Sequence, residues 1–171
     1  MNWLNDPNIS SEPWQVEDYR NLPTQTLFQN LNERGIALDN ARFINFTEMV
    51  DSPEDFTEIL LEDTSFDLME QDRIFLHIFE LWRRLVPEKL CLSIFCDELD
   101  HQIYLYDSGD PSSAESIQDA IANLQMILDE NFDQGMKPSR IFESVSAGCA
   151  NDLESFLYDF TTEQINNDNI V

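Results

Sequence analysis

The chain has 171 residues, of which 42% are apolar, and its 34 acidic residues against nine basic ones give a formal net charge of −25. The apolar content supports a hydrophobic core and excludes global disorder. Only four glycines are present, which disfavours sandwiches and barrels because these folds need many tight turns. The negative charge argues against direct binding to nucleic acids or to anionic membranes.

The sequence gives no sign of a cleavable signal or a membrane span. The first 20 residues contain four acids and no apolar run, and no stretch reaches the ~18 apolar residues that a span requires. The three cysteines form no C-x-x-C pair, so we expect reduced thiols and no disulfide framework. These features predict a soluble cytoplasmic protein, with secretion without a cleavable signal as the alternative.

The N-terminal segment 1–22 is rich in Asn and Pro and carries Trp3 and Trp14 as apolar anchors. We expect it to form an extended arm whose Trp rings pack on the body of the protein, with docking onto a partner as the second interpretation. A single helical domain is predicted over 23–165, followed by a frayed tail at 166–171.

Helix start and stop signals punctuate the first half of this domain. A short helix is expected between Pro23 and Gly35, a second after Asp39, and a third after the Ser52-Pro53 start signal. The clearest helix runs from Asp67 to Val86, because it opens with capping-box spacing and continues with apolar residues at helical intervals.

Residues 88–106 fit two patterns. Leu92, Phe95, Leu99 and Ile103 share a helix face, whereas Leu90, Leu92 and Ile94 alternate as they would in a strand. The helix is preferred because no Gly or Pro lies where a hairpin would turn. The hairpin is the alternative, and it would make the fold α+β.

The second half is expected to contain three helices. The segment 107–113 has the composition of a linker, and helices are predicted at 114–131, at 141–145 with a stop at Gly148, and at 150–160. The predicted fold is all-α, either a compact multi-helix bundle or a short helical-repeat-like array of about seven to eight helices.

A weak similarity between 24–63 and 118–160 raises the hypothesis of an internal duplication. The segment around Gly35 resembles the segment around Gly135, and each glycine lies between two helical patterns. Two copies of a helical unit would be typical of a solenoid with a concave binding face.

Few residues favour metal or catalytic chemistry. Glu98 and His101 have the E-x-x-H spacing of di-iron bundles, but such a site requires a second motif and two further Glu, and the sequence lacks the second motif. We treat these two residues as the metal candidates and expect a solvated or salt-bridged pair instead. No cofactor is predicted, and the protein is not expected to be an enzyme.

The acidic residues are organised along the chain. Three stretches, 43–72, 90–136 and 141–171, contain ten, ten and six acids and no Lys or Arg. This pattern favours an interaction module, such as an adaptor, a chaperone-like binder or a regulator, that binds a basic protein. The candidate partner-binding residues are Trp3, Trp14, Glu54, Asp55, Glu58, Glu62 and Asp63.

Two alternatives of other classes are kept. The first is a DNA mimic that inhibits a nucleic-acid-binding protein, and the second is a metal-dependent enzyme that uses Glu98 and His101. Neither nucleic-acid binding nor membrane insertion is expected, and both a monomer and a homodimer fit the sequence.

Overall fold

The computed structural model describes residues 16–89, 91–109, 113–133, 135 and 137–168, and this part of the chain forms helices and no strands. The nine helices in these ranges are α1 (Val16–Arg20), α2 (Thr24–Glu33), α3 (Asn40–Thr47), α4 (Pro53–Leu61), α5 (Leu68–Leu85), α6 (Leu92–Asp107), α7 (Ser113–Asp133), α8 (Pro138–Gly148) and α9 (Leu153–Asp168). The predicted all-α fold is confirmed. Among the described helices, none combines the length and the apolar character that crossing a bilayer demands.

The predicted helix starts act as true N-caps. Asp39, Ser52 and Asp67 each accept a hydrogen bond from the backbone N–H three residues later, at 2.8, 3.1 and 2.9 Å. Such caps satisfy N–H groups that have no partner inside the helix. The side chain of Glu70, which the capping-box spacing directs back to Asp67, accepts hydrogen bonds from two arginines instead.

The ambiguous segment 88–106 is helical from Leu92 onward, so the preferred helix is confirmed and the hairpin is not formed. The reason lies in side-chain spacing. Cys96, Leu99 and Ile103 lie on one face of α6 and are almost completely buried in an apolar cluster, which a strand with its period of two could not achieve.

The chain divides into two compact units, with the boundary between Cys91 and Leu92. In the first unit α1, α2 and α4 pack against α5, and in the second unit α6, α7 and α8 pack against one another. The single domain over 23–165 and the internal duplication stay predictions. Residues 1–15 of the predicted arm and 169–171 of the predicted tail lie outside the described residues, and the end of the arm forms α1.

Both glycines of the proposed duplication adopt a left-handed backbone. The φ angle is +84° at Gly35 and +87° at Gly135, a region that residues with a Cβ seldom occupy. Gly35 ends the turn after α2, as the sequence predicts, because its N–H and that of Ile36 satisfy carbonyls of the last helical turn.

The core of the first unit is aromatic around α3 and α4. Phe43 and Phe56 are fully buried, with their rings stacked at a centroid distance of 4.8 Å, and Phe46 lies 4.3 Å from Phe56. Burying each such ring contributes on the order of 1.5–3 kcal/mol. This cluster fixes α3 against α4.

A buried carboxylate lies on α5. Glu80 is only 1% exposed and accepts hydrogen bonds from Arg83 at 2.6 and 3.0 Å and from Arg84 at 2.6 Å. Both arginines lie in the last turn of α5, where cations also suit the helix dipole. Their main role in the structure is to compensate a charge that α5 carries into the core, since a buried charge needs a partner.

Arg84 also holds the start of the described chain. Its guanidinium donates to the carbonyl oxygens of Tyr19, Arg20 and Leu22 at 3.2, 3.0 and 2.7 Å, and to the Thr24 hydroxyl at 3.1 Å. These acceptors lie at the end of α1, in the connection and at the start of α2. Arg84 therefore ties α1 and α2 to α5.

Lys89 plays a similar part for α3. Its ammonium donates to the carbonyl oxygens of Thr47 and Val50 and lies 5.9 Å from the ring centroid of Trp82. The Trp82 indole N–H donates to the Lys89 carbonyl at 3.1 Å, so the fully buried ring has the polar partner that it needs.

His77 is a buried histidine in the same unit. Its Nδ1 lies 2.7 Å from the Arg73 carbonyl oxygen, its ring meets Tyr19 edge-on at 4.8 Å, and its Nε2 has no hydrogen-bond partner among the described residues. Burial lowers the pKa of His77, and the nearby Arg34 lowers it further. The imidazole is therefore held neutral in the folded unit.

Replacing Glu80 by Gln should destabilise the first unit by about 3 kcal/mol, because two guanidinium groups lose their charge partner. Urea unfolding followed by hydrogen exchange at α5 amides measures this loss. Glu48→Gln, which changes an exposed acid of the same unit, serves as the control and should shift stability by no more than about 0.5 kcal/mol. Equal effects in the two variants would contradict the proposed role of Glu80.

Acidification should weaken the first unit through His77. The unfolded chain binds a proton at this residue near pH 6.5 whereas the folded unit does so only at lower pH, so unfolding takes up a proton. Stability should fall as the pH drops below about 6.5, by at most about 1.4 kcal/mol per pH unit. The unfolding midpoints at about pH 7.5 and about pH 5.5 should differ less in His77→Gln than in the unchanged protein. An equal difference in the two proteins would refute the role of His77.

Candidate partner-binding site

An acid-rimmed groove lies between α4 and α5 in the first unit, and we call it the acidic groove. Its volume is about 340 Å³. The residues that line it are Glu54, Thr57, Glu58, Leu61, Glu62, Gln71, Asp72 and Phe75. The rim is carboxylate and the apolar floor is provided by Leu61 and Phe75.

The rim follows from the sequence of α4. Glu54, Glu58 and Glu62 are spaced by four residues, which places them on one face of a helix and its final turn. Like charges at this spacing destabilise a helix by a few tenths of a kcal/mol per pair. All three side chains are exposed to solvent, so their charge is available to a binding partner.

Asp72 contributes the fourth carboxylate from the opposite wall. Burial raises its pKa, because withdrawal from water disfavours the charged form. Glu70, two residues earlier, behaves in the opposite way, since hydrogen bonds from Arg34 and Arg73 lower its pKa. No Lys or Arg is among the residues that line the groove, and a cation placed there would favour the charged form of Asp72.

Six of the seven basic residues of the first unit are engaged in contacts outside the groove. Ion pairs join Arg34 and Arg73 to Glu70, Arg42 to Asp39, and Arg83 and Arg84 to Glu80. Lys89 binds backbone carbonyls. Six of the nine basic side chains of the protein are thus committed to contacts within the fold.

The candidate partner-binding residues from the sequence fall into three groups. Glu54, Glu58 and Glu62 line the acidic groove together. Asp55 lies in the first turn of α4 and is not part of the lining, and Asp63 lines a different pocket, which is bordered by residues after α2 and after α4. Trp3 and Trp14 lie outside the described residues.

The metal candidates do not converge with further ligands. Glu98 and His101 are both half-buried on α6, and Glu98 accepts a hydrogen bond from Gln102 at 3.3 Å. Across the described ranges, no group of three or more His, Cys, Asp or Glu side chains is placed to hold a metal ion.

The α5 wall of the groove could not be predicted from the sequence. Asp72 and Phe75 are three residues apart, so they share a helix face. In the sequence, however, Phe75 belongs to the apolar stripe that begins at Ile74, and this stripe predicts a core residue and not a residue that lines a groove. Gln71 also donates to the Phe66 carbonyl at 2.8 Å, which fixes the entry to α5. Glu70 and Asp72, two acids just before the apolar stripe, were the sequence signal that pointed to an acidic wall.

A second acidic pocket occurs in the second unit, with a volume of about 330 Å³. Its floor is aromatic, since Tyr106, Phe156 and Phe160 pack at centroid distances of 5.3 to 6.0 Å. Its rim carries four carboxylates, from Asp107, Asp152, Asp159 and Glu163. The Tyr106 hydroxyl donates to Glu163, and this bond raises the pKa of Tyr106 to about 12.

Comparisons of this chain with protein-family models, with curated proteins and with solved structures find no match. Its site is therefore interpreted from its own geometry and charge.

Neutralising Asp72 and neutralising Glu70 should change stability in opposite directions. Asp72→Asn removes a carboxylate whose charged form is disfavoured by burial, so the free energy of unfolding at neutral pH should rise by up to about 0.5 kcal/mol. Glu70→Gln removes the partner of two arginines and should lower it by about 1 kcal/mol. Urea denaturation measures both changes, and a loss of stability in Asp72→Asn would contradict this account.

Proposed function

We propose that this protein is an interaction module that binds a basic protein partner through the acidic groove between α4 and α5. The observation that carries the proposal is the combination of four carboxylates around an apolar floor with no lining cation. Such a groove fits a segment whose Lys or Arg side chains flank an apolar one, because the apolar side chain can reach Leu61 and Phe75 while the cations meet the rim.

Charge supports the proposal in two ways. The net charge of −25 steers a basic partner towards the protein over a distance of roughly 8 Å at physiological ionic strength. Local carboxylates then determine where the partner docks, since complementary charges fix orientation more than they add affinity. The acidic pocket of the second unit has similar chemistry and provides another position for a cationic side chain.

A cytoplasmic location is part of the proposal. The three cysteines are free thiols, which is typical of proteins in a reducing compartment.

The groove is tested with a labelled amphipathic helical peptide that carries Lys on one face and Leu on the other, by fluorescence anisotropy. The variant Glu58→Gln/Glu62→Gln/Asp72→Asn should bind this peptide about tenfold more weakly, since each partly exposed ion pair contributes roughly 0.5 kcal/mol. Raising the salt concentration should weaken binding to the unchanged protein more than binding to the variant.

The matched control replaces three exposed acids of the same unit that lie outside the groove, Glu48→Gln/Asp51→Asn/Glu88→Gln. This control changes the net charge by the same amount as the groove variant. A general charge effect would therefore weaken peptide binding equally in the two variants. We expect the peptide dissociation constant of the control to stay within about threefold of that of the unchanged protein, because exposed charges outside the groove contribute little. Equal losses in the two variants would show that net charge, and not the groove, binds the peptide.

A further inference from the structure

Two of the three cysteines meet in the second unit. Cys96 lies on α6 and is only 1% exposed, and Cys149 directly follows α8 and is half-buried against the same apolar cluster. The two thiols lie close enough that each shifts the pKa of the other. The residues are 53 positions apart in the sequence, so the fold alone creates this contact.

The end of α8 approaches Cys96 very closely. The Cys96 thiol lies 3.4 Å from the Val145 carbonyl oxygen, to which it can donate. A Cβ atom added at Gly148 would lie 2.8 Å from the Cys96 sulfur, a separation that real Cβ atoms do not tolerate. Gly148 therefore leaves room for the sulfur beside the helix end.

The chain that follows Cys149 is also fixed to α6. Asp100, one helical turn after Cys96, accepts hydrogen bonds from the backbone N–H of Ala150 at 2.6 Å and of Asn151 at 3.0 Å, and from the Asn151 amide at 2.7 Å. With α8 on one side and this clamp on the other, Cys149 is held against Cys96.

The contact favours loss of one proton from the pair. The pKa of the Cys96 thiol is lowered because Cys149 donates a hydrogen bond to the thiolate, although burial and the nearby Asp100 oppose this effect. Cys149 retains its proton, since its pKa is raised by the same bond. A thiolate beside a second thiol is the arrangement from which disulfides form.

We propose that Cys96 and Cys149 form a redox-responsive pair that closes to an intramolecular disulfide when the protein meets hydrogen peroxide. One of the two sulfurs, as its thiolate, attacks one peroxide oxygen and becomes a sulfenic acid, and the released hydroxide takes up a proton to form water. The second thiol then attacks the sulfenic sulfur, forming the S–S bond and releasing a second water. The two thiols lose two electrons and the peroxide is reduced to two waters.

The proposal is independent of the acidic groove, which lies in the other unit. It also agrees with a reducing compartment, where protein disulfides are transient and serve redox sensing. Cys91, the third cysteine, belongs to the first unit and provides an internal reference.

The test treats the full chain with hydrogen peroxide, then denatures it and labels the remaining thiols with N-ethylmaleimide. Intact mass should show the number of labels falling from three to one, and dithiothreitol should restore it to three. A peptide map without reductant should contain a cross-link between the peptides of Cys96 and Cys149. The variant Cys91→Ala should form the same cross-link and retain no label after oxidation.

The variant Cys149→Ala is the matched negative control, chosen because this side chain is less buried than Cys96 and its loss is better tolerated by the core. Circular dichroism verifies its helicity. After peroxide it should show no internal cross-link. A cross-link through Cys91, a cross-link between two chains, or three labels after oxidation of the unchanged protein would each overturn the proposal.

Discussion

The buried charge of Glu80 is the constraint on which the first unit depends. A carboxylate that is 1% exposed must be compensated, and the two arginines that follow it on α5 meet this need. Arg84 then has further donors, and these bind the end of α1 and the start of α2. Arg84 thus joins the buried Glu80 carboxylate to the chain that runs from α1 into α2.

The same helix provides one wall of the acidic groove, so the site inherits its rigidity from the core. Phe75 belongs to both, because it is nearly buried and still lines the groove. On the other wall, Phe56 fixes α4 from its inner face while Glu58 stays in solvent. A surface held by packed helices loses little conformational entropy on binding, which favours affinity.

Local signals made most of the fold predictable. The caps at Asp39, Ser52 and Asp67, the stop at Gly35 and the apolar face of α6 are all encoded within a few residues. The α4 rim was predictable for the same reason. The groove itself was not, because the pairing of α4 with α5 and the role of Asp72 depend on tertiary packing. The Cys96–Cys149 contact was even less predictable, because no local pattern in the sequence indicates that these two residues meet.

The distribution of cations separates two explanations for the acidity. Solubility alone places no constraint on which carboxylates the basic residues contact. Instead Arg34 and Arg73 both bind Glu70, whose neighbour Asp72 faces the groove and has its pKa raised by burial. An arginine beside Asp72 would offset the cost of this burial by stabilising the charged carboxylate, without any change in composition. The first unit engages Arg34, Arg73, Arg83 and Arg84 in internal ion pairs, and no Lys or Arg lines the groove. This arrangement is the one that the proposed basic partner would require.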